Sequence, residues 1–455
     1  MIKKVKISII GTGYVGLVTG VCLAFKGHQV FCVDKLQCIV DNINTGISPI
    51  YEKGLQSLLS YVLNNNSLKA TTDLNHAVMN SEVSIIAVGT PFDGDNIDLS
   101  HIEEAAKEIA SILKNKKEYH VVCVKSTVVP TTTDTLVFEL LQQTSGKSVG
   151  EFGLVMNPEF LKEGEAVEDF LNPDRIIIGA IDEKSYQAFK KVYEGYFDAP
   201  IVKVNPRTAE MIKYTSNSLL ATLISFSNEI GVISEEIGGI DALKVMEGVS
   251  MDKRLTPKVK GELIKPDITK YLKPGRGFGG SCFPKDVKSL IAFSAKQGYM
   301  PKILKSTIEV NESQIYRIIE TLKKELYYIE GRTIAILGLA FKANTDDIRE
   351  SPSIKLIKEL LKNGVKLKCF DPIAIHNAKV ELPANDKLMF TEDYKEAIME
   401  AHAAIIMSDW ESIINIPFSE YKNLMKTPII FDCCRALDCE KAKALHIKYI
   451  GIGLG

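Results

Sequence analysis

The sequence predicts an α/β protein with two doubly wound, parallel-sheet domains joined by a long central helix and a helical dimerisation region. Three observations carry that prediction. Short β-branched runs alternate with amphipathic, helix-length segments as far as Pro206, the pattern of a parallel sheet with crossover helices. From Thr208 to about Gly238 the pattern stays helical with no strand signal, longer than one domain face can cover. The alternation resumes at Arg332. A chain of 455 residues also exceeds what one hydrophobic core supports. The expected divisions are 1–205, 206–328 and 329–455.

In chain order, strands are expected at Val5–Ile10, directly after the Met1 end, and at Gln29–Val33, Val83–Val88, His120–Val124, Gly153–Met156 and Arg175–Gly179. Helical patterns fall between them, as at Leu99–Leu113 and Thr132–Gln142. In the central region Met211, Tyr214, Leu219, Leu223 and Phe226 recur at helical spacing. Such a helix joins domains or forms a subunit interface, so a homodimer or higher homo-oligomer is expected. Helical sequence continues to about Tyr328, broken by a Gly/Pro-rich loop at Lys273–Pro284. Then come a strand at Thr333–Leu337, a helix at Ser353–Asn363, and a strand at Lys366–Phe370 ending in Asp371-Pro372. Ala403–Met407 and Ile429–Phe431 supply further strands. The two α/β ends are alike in kind without an obvious sequence repeat.

Composition excludes several function classes. Apolar residues at 45% and charged residues at 25% describe an ordinary globular protein. A formal charge of −2 creates no field that gathers polyanions, so no nucleic-acid partner is expected and any phosphate site must be built locally. No apolar run approaches the roughly 18 residues of a membrane span, and the N-terminus lacks the layout of a signal peptide. The expectation is a cytoplasmic protein with no membrane partner. Nine scattered cysteines, an odd number, fit reduced thiols better than a disulfide framework. Cys433, Cys434 and Cys439 cluster, but not at zinc-ligand spacing, so no metal is expected.

The strand candidate ending Ile7-Ser8-Ile9-Ile10 runs into Gly11-Thr12-Gly13-Tyr14-Val15-Gly16 and then an apolar helix to Phe25. GxGxxG between a strand and a helix is the context a dinucleotide fingerprint requires. Gly11 permits the tight turn, Gly13 lets the backbone approach a pyrophosphate, and Gly16 allows helix to pack on sheet. The pyrophosphate then meets free N–H groups and the positive end of the helix dipole. Asp34 ends the second strand, where a carboxylate accepts ribose hydroxyls and repels a 2′-phosphate, favouring NAD. Thr90 and Thr127 each follow a strand, and their hydroxyls are expected to face the cofactor crevice.

The loop Gly275-Arg276-Gly277-Phe278-Gly279-Gly280-Ser281-Cys282-Phe283-Pro284-Lys285-Asp286 carries the most chemistry. So many glycines are entropically costly unless something must fit closely against the backbone. Cys282 stands at the loop's end with Lys285 and Asp286 one turn on. A nearby cation, and a helix N-terminus if one follows, would stabilise the thiolate; alone, such a cysteine would be read as a small buried hydrophobe. A nucleophilic thiol beside a nicotinamide site points to aldehyde-level oxidation: thiohemiacetal, then thioester, then hydrolysis with a positioned water and base.

These residues resemble the UDP-glucose/GDP-mannose dehydrogenase family, over essentially the whole chain. The matching motifs are GTGYVG at 11–16, Pro49-Ile50-Tyr51-Glu52, VGTP at 88–91 and STVVP at 126–130. They continue with Asn157-Pro158-Glu159-Phe160-Leu161-Lys162-Glu163-Gly164, Lys213 with Asn217, GFGGSCFPKD at 277–286, and Gly338-Leu339-Ala340-Phe341-Lys342. The resemblance implies two Rossmann-like domains: residues 1–205 for NAD and 329–455 for the UDP-sugar, with 206–328 as the helical dimerisation domain carrying the cysteine loop. It implies a four-electron oxidation of UDP-glucose at C6 to UDP-glucuronate with two NAD and one water.

By the same resemblance Cys282 is the nucleophile, and Lys213 with Asn217 stabilises the oxyanion. Glu159, with Thr127 and Asp286 around a water, serves proton transfer and hydrolysis. Gly11, Gly13, Val15, Gly16, Asp34, Thr90, Thr127, Glu163, Lys285 and Arg349 would contact the cofactor. The segment Glu159–Glu163, Lys213 and Asn217, Tyr271-Leu272-Lys273-Pro274-Gly275, Gly279, Lys342 and Arg435 would hold the nucleotide sugar.

Two departures from the family pattern stand out. Pro266-Asp267-Ile268 replaces an Arg-Ile-Gly whose arginine can reach a neighbouring subunit's substrate, and Ile39 replaces a lysine that usually follows Asp34. GDP-mannose or a UDP-N-acetylhexosamine are the rival substrates, though Ser281 stands where N-acetyl-sugar enzymes usually carry histidine. The reading from a different class is an inactive regulator that binds NAD and nucleotide sugar; the joint presence of Cys282, Lys213, Asn217 and Asp286 argues against it.

Overall fold

A computed structural model describes residues 4–383 and 385–455; the first three residues of the expected run into the opening strand lie outside them. The chain divides into two compact units, one through Ser216 and one from Asn217.

The first unit is built on an eight-stranded sheet. Its strands are β1 (Lys6–Ile10), β2 (Gln29–Val33), β3 (Leu68–Thr71), β4 (Val83–Ile86), β5 (Val121–Val124), β6 (Gly153–Met156), β7 (Ile176–Ala180) and β8 (Ile201–Val204). Their order is β3-β2-β1-β4-β5-β6-β7-β8, so the chain reverses its direction across the sheet between β1 and β4. Ile7 and Ile9 pack in one hydrophobic cluster and Ile10 in another, since successive side chains leave opposite faces. Both faces are thus covered, which explains why the central strands read as continuous apolar runs.

One junction departs from the expected all-parallel sheet: β6 and β7 pair antiparallel, Val155 opposite Ala180 and Met156 opposite Gly179. After β6 the chain spends its residues on the Asn157–Gly164 segment and a short helix, Ala166–Leu171. It then starts back from the same end of the sheet, with the Asn157 side chain donating to the Ile177 carbonyl at 2.8 Å.

The second unit begins inside the long helix Pro206–Ile237. Helices Ala242–Ser250, Phe283–Lys296 and Lys302–Leu326 follow. The region expected to be helical apart from the glycine loop also holds a hairpin, β9 (Lys258–Val259) with β10 (Glu262–Leu263). Lys260 and Gly261 both have positive φ, 51° and 92°, the two-residue turn that suits the strand twist. A six-stranded parallel sheet completes the unit: β11 (Thr333–Leu337), β12 (Lys366–Phe370), β13 (Leu388–Thr391), β14 (Ala403–Ile406), β15 (Ile429–Asp432) and β16 (Lys448–Gly451). Its order is β13-β12-β11-β14-β15-β16.

The two sheets repeat one local device that the sequence hides. Gly11 (φ 90°) and Gly338 (φ 99°) each follow the first strand of their sheet. Each donates its N–H to the carbonyl ending the neighbouring strand, Val33 at 2.9 Å and Phe370 at 2.8 Å. An aspartate just past that strand then accepts the next backbone N–H: Asp34 from Thr12 at 3.1 Å, Asp371 from Leu339 at 2.7 Å.

Candidate active site

In the first unit the fingerprint glycines divide their work as their surroundings dictate. A Cβ on Gly11 would lie 2.9 Å from the Ala87 carbonyl, and one on Gly16 only 1.9 Å from the Gly11 carbonyl; both must be glycine for packing. Gly13 caps the helix Tyr14–Phe25, and a Cβ built there meets nothing within 4 Å. The helix N-terminus is therefore open, its first turn carries no acidic side chain, and Val15 packs against the core beneath it. This turn fits a dinucleotide pyrophosphate. The Asp34 carboxylate is held facing the turn by the Thr12 N–H and hydroxyl, the latter at 2.6 Å.

The Thr90 hydroxyl, on the loop after β4, donates to the Thr127 carbonyl at 2.8 Å. Ser126 donates to the Val88 carbonyl at 2.7 Å. These bonds knit the loops after β4 and β5 together and leave the Thr127 side chain half-buried at their edge.

Past β6, Glu159 is buried and pairs with the equally buried Lys213 at 3.0 Å, while accepting the Leu161 N–H at 2.6 Å. Burial alone would push the Glu159 carboxyl up. The charge and hydrogen bond of Lys213, the Leu161 N–H and the charge of Lys125 outweigh burial and hold it below its ordinary value. Lys125 donates to Asn157 at 3.1 Å, and burial depresses its ammonium. The Phe160 ring takes two cations on its faces, Arg175 at 4.2 Å and Lys213 at 5.6 Å, an arrangement that favours both charges. Lys162 turns outward instead, to Glu165 at 3.0 Å and Asp169 at 3.3 Å. Glu163 is half-buried.

In the second unit the cysteine loop is a tightly held strap. Gly277 and Gly280 have φ of 91° and 82°. The Asn311 amide receives the Phe278 N–H at 2.7 Å and donates to its carbonyl at 3.0 Å. Gly275 donates to Asn228 at 2.7 Å and Gly280 to the Arg349 carbonyl at 2.9 Å. Gly279 leaves no space, since a Cβ there would lie 2.5 Å from the Glu350 carbonyl. Arg276 clamps the strap to the end of the second sheet, donating to the Cys434 sulfur at 2.7 Å and the Phe341 carbonyl at 2.8 Å.

The strap delivers Cys282 to the N-cap of Phe283–Lys296, with Pro284 in the first turn. Its side chain is half-buried and the Ser281 hydroxyl lies 3.5 Å from its sulfur. Asp286 is buried and accepts from Asn217 at 2.6 Å and Lys285 at 2.6 Å. The Lys285 ammonium is thus directed to Asp286, and the thiol stands at a helix N-terminus.

Other expected ligand residues of this unit spread around the strap. The Tyr271 ring packs 6.3 Å from Phe283, Leu272 and Pro274 are buried, and Lys273 is half-buried. Lys342 lies 5.5 Å from the Phe341 ring. Arg349 forks onto Asp347 at 2.7–2.9 Å. Arg435 is held by Asp241 at 2.9 Å and the Ile452 carbonyl at 3.0 Å. Sequence reasoning missed Arg276, Asn311, Lys125 and the buried carboxylates Glu52 and Glu210, because each acts on a segment far away in the chain. Among the described residues no helix is long and apolar enough to cross a membrane.

The UDP-glucose/GDP-mannose dehydrogenase family model for the NAD binding domain matches residues 5–197, its central domain 207–313, and its UDP binding domain 335–439. The chain is 39% identical over 448 residues to UDP-glucose 6-dehydrogenase YwqF of Bacillus subtilis, covering 98% of this chain and 97% of that protein. It is 40% identical over 369 residues to GDP-mannose 6-dehydrogenase of Pseudomonas putida, covering 80% of each. The solved structure of a UDP-glucose dehydrogenase from Pyrobaculum islandicum superposes with a TM-score of 0.90 at 35% identity, covering 100% of this chain and 99% of that one. On a glycine turn built for a dinucleotide, a strapped cysteine, and similarity along its whole length, the chain belongs to the UDP-glucose/GDP-mannose dehydrogenase family of NAD-dependent nucleotide-sugar dehydrogenases.

Proposed function

We propose that this protein oxidises UDP-glucose at C6 to UDP-glucuronate, with Cys282 as covalent nucleophile. The observation that carries the reading is the glycine strap, which sets a half-buried thiol at a helix N-cap, where the thiolate is favoured. The Gly11–Gly16 turn and Asp34 would hold NAD, which would supply the hydride acceptor for each oxidation, two molecules per turnover. The C6 alcohol becomes an aldehyde, and the Cys282 thiolate attacks it to form a thiohemiacetal. The second oxidation leaves a thioester, and water releases the carboxylate and the thiol.

Lys213 and Asn217, one turn apart on a single helix, are assigned to the oxyanion that develops at C6. Glu159, ionised beside Lys213, handles protons with Thr127 and Asp286 during hydrolysis. Gly11, Gly13, Val15, Gly16, Asp34, Thr90, Glu163, Lys285 and Arg349 are assigned to the cofactor. Phe160–Lys162, Tyr271–Gly275, Gly279, Lys342 and Arg435 are assigned to the nucleotide sugar. For Arg349 and Arg435 this requires that the substrate complex release them from Asp347 and Asp241.

GDP-mannose is the second reading, favoured by the 40% identity to the Pseudomonas putida enzyme. The purified protein, given NAD with UDP-glucose, GDP-mannose or UDP-N-acetylglucosamine in turn, should make NADH fastest with UDP-glucose; no NADH from UDP-glucose defeats the first reading. Cys282→Ser should lower complete turnover by ~10³-fold or more, and unchanged turnover refutes the covalent route. The protein is further assigned to the cytoplasm, on its cysteines without disulfides, and to a homodimer formed through the central helix.

A further inference from the structure

We propose that Glu52 is a positioning residue that locks the cofactor's pyrophosphate turn to the segment carrying Glu159 and Glu163. Glu52 closes the Pro49–Glu52 segment, for which the chemistry above finds no use. It is 6% exposed, and its carboxylate is fully engaged by two other stretches of the first unit. One oxygen accepts the Gly164 N–H at 2.8 Å and the Tyr14 hydroxyl; the other accepts the Ala166 N–H at 3.1 Å. The Gly164 N–H also reaches the Tyr14 oxygen at 3.1 Å, so the three groups form one closed knot.

Each partner belongs to something the reaction needs. Tyr14 is the first residue of the helix whose N-terminus receives the pyrophosphate. Gly164, with a φ of 86°, is the third residue of the turn Lys162–Glu165, next to Glu163 and five residues after Glu159. Glu52 is 112 residues from Gly164 in sequence; apolar packing of Leu17 and Val18 with Ala166 and Val167 brings the two stretches side by side, and Glu52 adds the polar tie that fixes them in one geometry. A buried carboxylate holding backbone N–H groups resists displacement strongly, because releasing them strands a charge and two donors away from water. The knot therefore makes the pyrophosphate turn and the segment carrying Glu159 and Glu163 one rigid piece.

This rests on the NAD assignment of the first unit, and the test separates the two. NADH binding is followed by its fluorescence, and UDP binding by calorimetry, in the full-length protein. Glu52→Ala should weaken NADH binding ~10-fold or more, the worth of a charged hydrogen bond or two. It should lower kcat as well, while UDP binding stays within about twofold. Tyr14→Phe, which keeps the carboxylate and its two backbone partners, should fold normally and weaken NADH binding by a few-fold only. Wild-type NADH affinity and kcat in a folded Glu52→Ala sample overturn the proposal. So does a parallel loss of NADH and UDP binding, which marks a merely structural residue. If Glu52→Ala does not fold, wild-type NADH binding in Tyr14→Phe overturns it. Failure of the unaltered protein to bind NADH defeats the cofactor assignment itself.

Discussion

At the scale of single residues, this molecule is governed by where an atom cannot be added. Gly279 has ordinary space only because it lacks a Cβ; a methyl there would sit 2.5 Å from the Glu350 carbonyl. Gly279→Ala should therefore lower stability by about 1–3 kcal/mol and slow alkylation or turnover at Cys282, three residues on. Denaturant unfolding and the rate of thiol modification check this, and an unchanged protein on both counts contradicts the strap. The glycine content of this loop was legible in the sequence because backbone crowding leaves no alternative residue. The partners of the charged groups were not legible. Lys285, read from the sequence as a cation near the thiol, bonds the Asp286 carboxylate at 2.6 Å, since a buried carboxylate takes the nearest donors available.

At the scale of elements, two buried titratable groups tie the β5 region to its surroundings with opposite pH signatures. Glu210, on the central helix, accepts the N–H groups of Thr131 at 2.9 Å and Thr133 at 2.8 Å. It thereby anchors the start of the π-helical turn Thr132–Val137, where the sequence predicts an ordinary α-helix. Burial pushes Glu210 up to about 7, against the pull of those N–H groups. The folded state then holds a proton the unfolded state has lost between about pH 4.5 and 7, so stability falls as pH rises through that window. Glu210→Gln should flatten this slope, worth up to about 3 kcal/mol, in unfolding measured across the range.

His120 behaves in reverse. It bonds to Ser84 at 2.8 Å within a buried network reaching Ser8 on β1. Burial, helped by the charge of Lys116, lowers it to about 3. Its unfolded form gains a proton near pH 6.5 and the folded form does not, so stability drops as pH falls below that value. His120→Gln should remove that part of the acid sensitivity; acid unfolding at an unshifted midpoint contradicts it.

The strands divide by position in the sheet. Every interior strand of the two sheets falls on an expected strand, most of them β-branched and aliphatic runs, with Lys-Leu-Lys-Cys-Phe at β12 the exception. Besides the short β9–β10 hairpin, the strands the sequence leaves unmarked, β3, β8, β13 and β16, are the edges of the two sheets. An edge strand is half exposed and carries polar residues, as in Leu68-Lys69-Ala70-Thr71, so its periodicity is too weak to read.

At the scale of the whole molecule, the central helix carries an exposed apolar stripe. Leu219, Phe226 and Ile233 are exposed at seven-residue spacing, with Ile237 at 67% exposure beyond them. Such a seam suits a second helix, and the protein should scatter light as a dimer at micromolar concentration. A Phe226→Glu, Ile233→Glu double variant should be monomeric. A wild-type monomer would sink the interface.

What the amino-acid sequence determines by itself is what physics makes local: the interior strands, the glycine turn, the long helix and the cysteine strap. Each is written in side-chain period or in residues whose backbone freedom has no substitute. What only the tertiary structure decided is which buried charge meets which partner: Glu159 with Lys213, Asp286 with Asn217, Glu52 with Gly164 and Ala166. Those partners lie about 50 to 110 residues apart in the chain. A buried charge takes whichever group the fold carries within reach, and no spacing along the sequence encodes that choice.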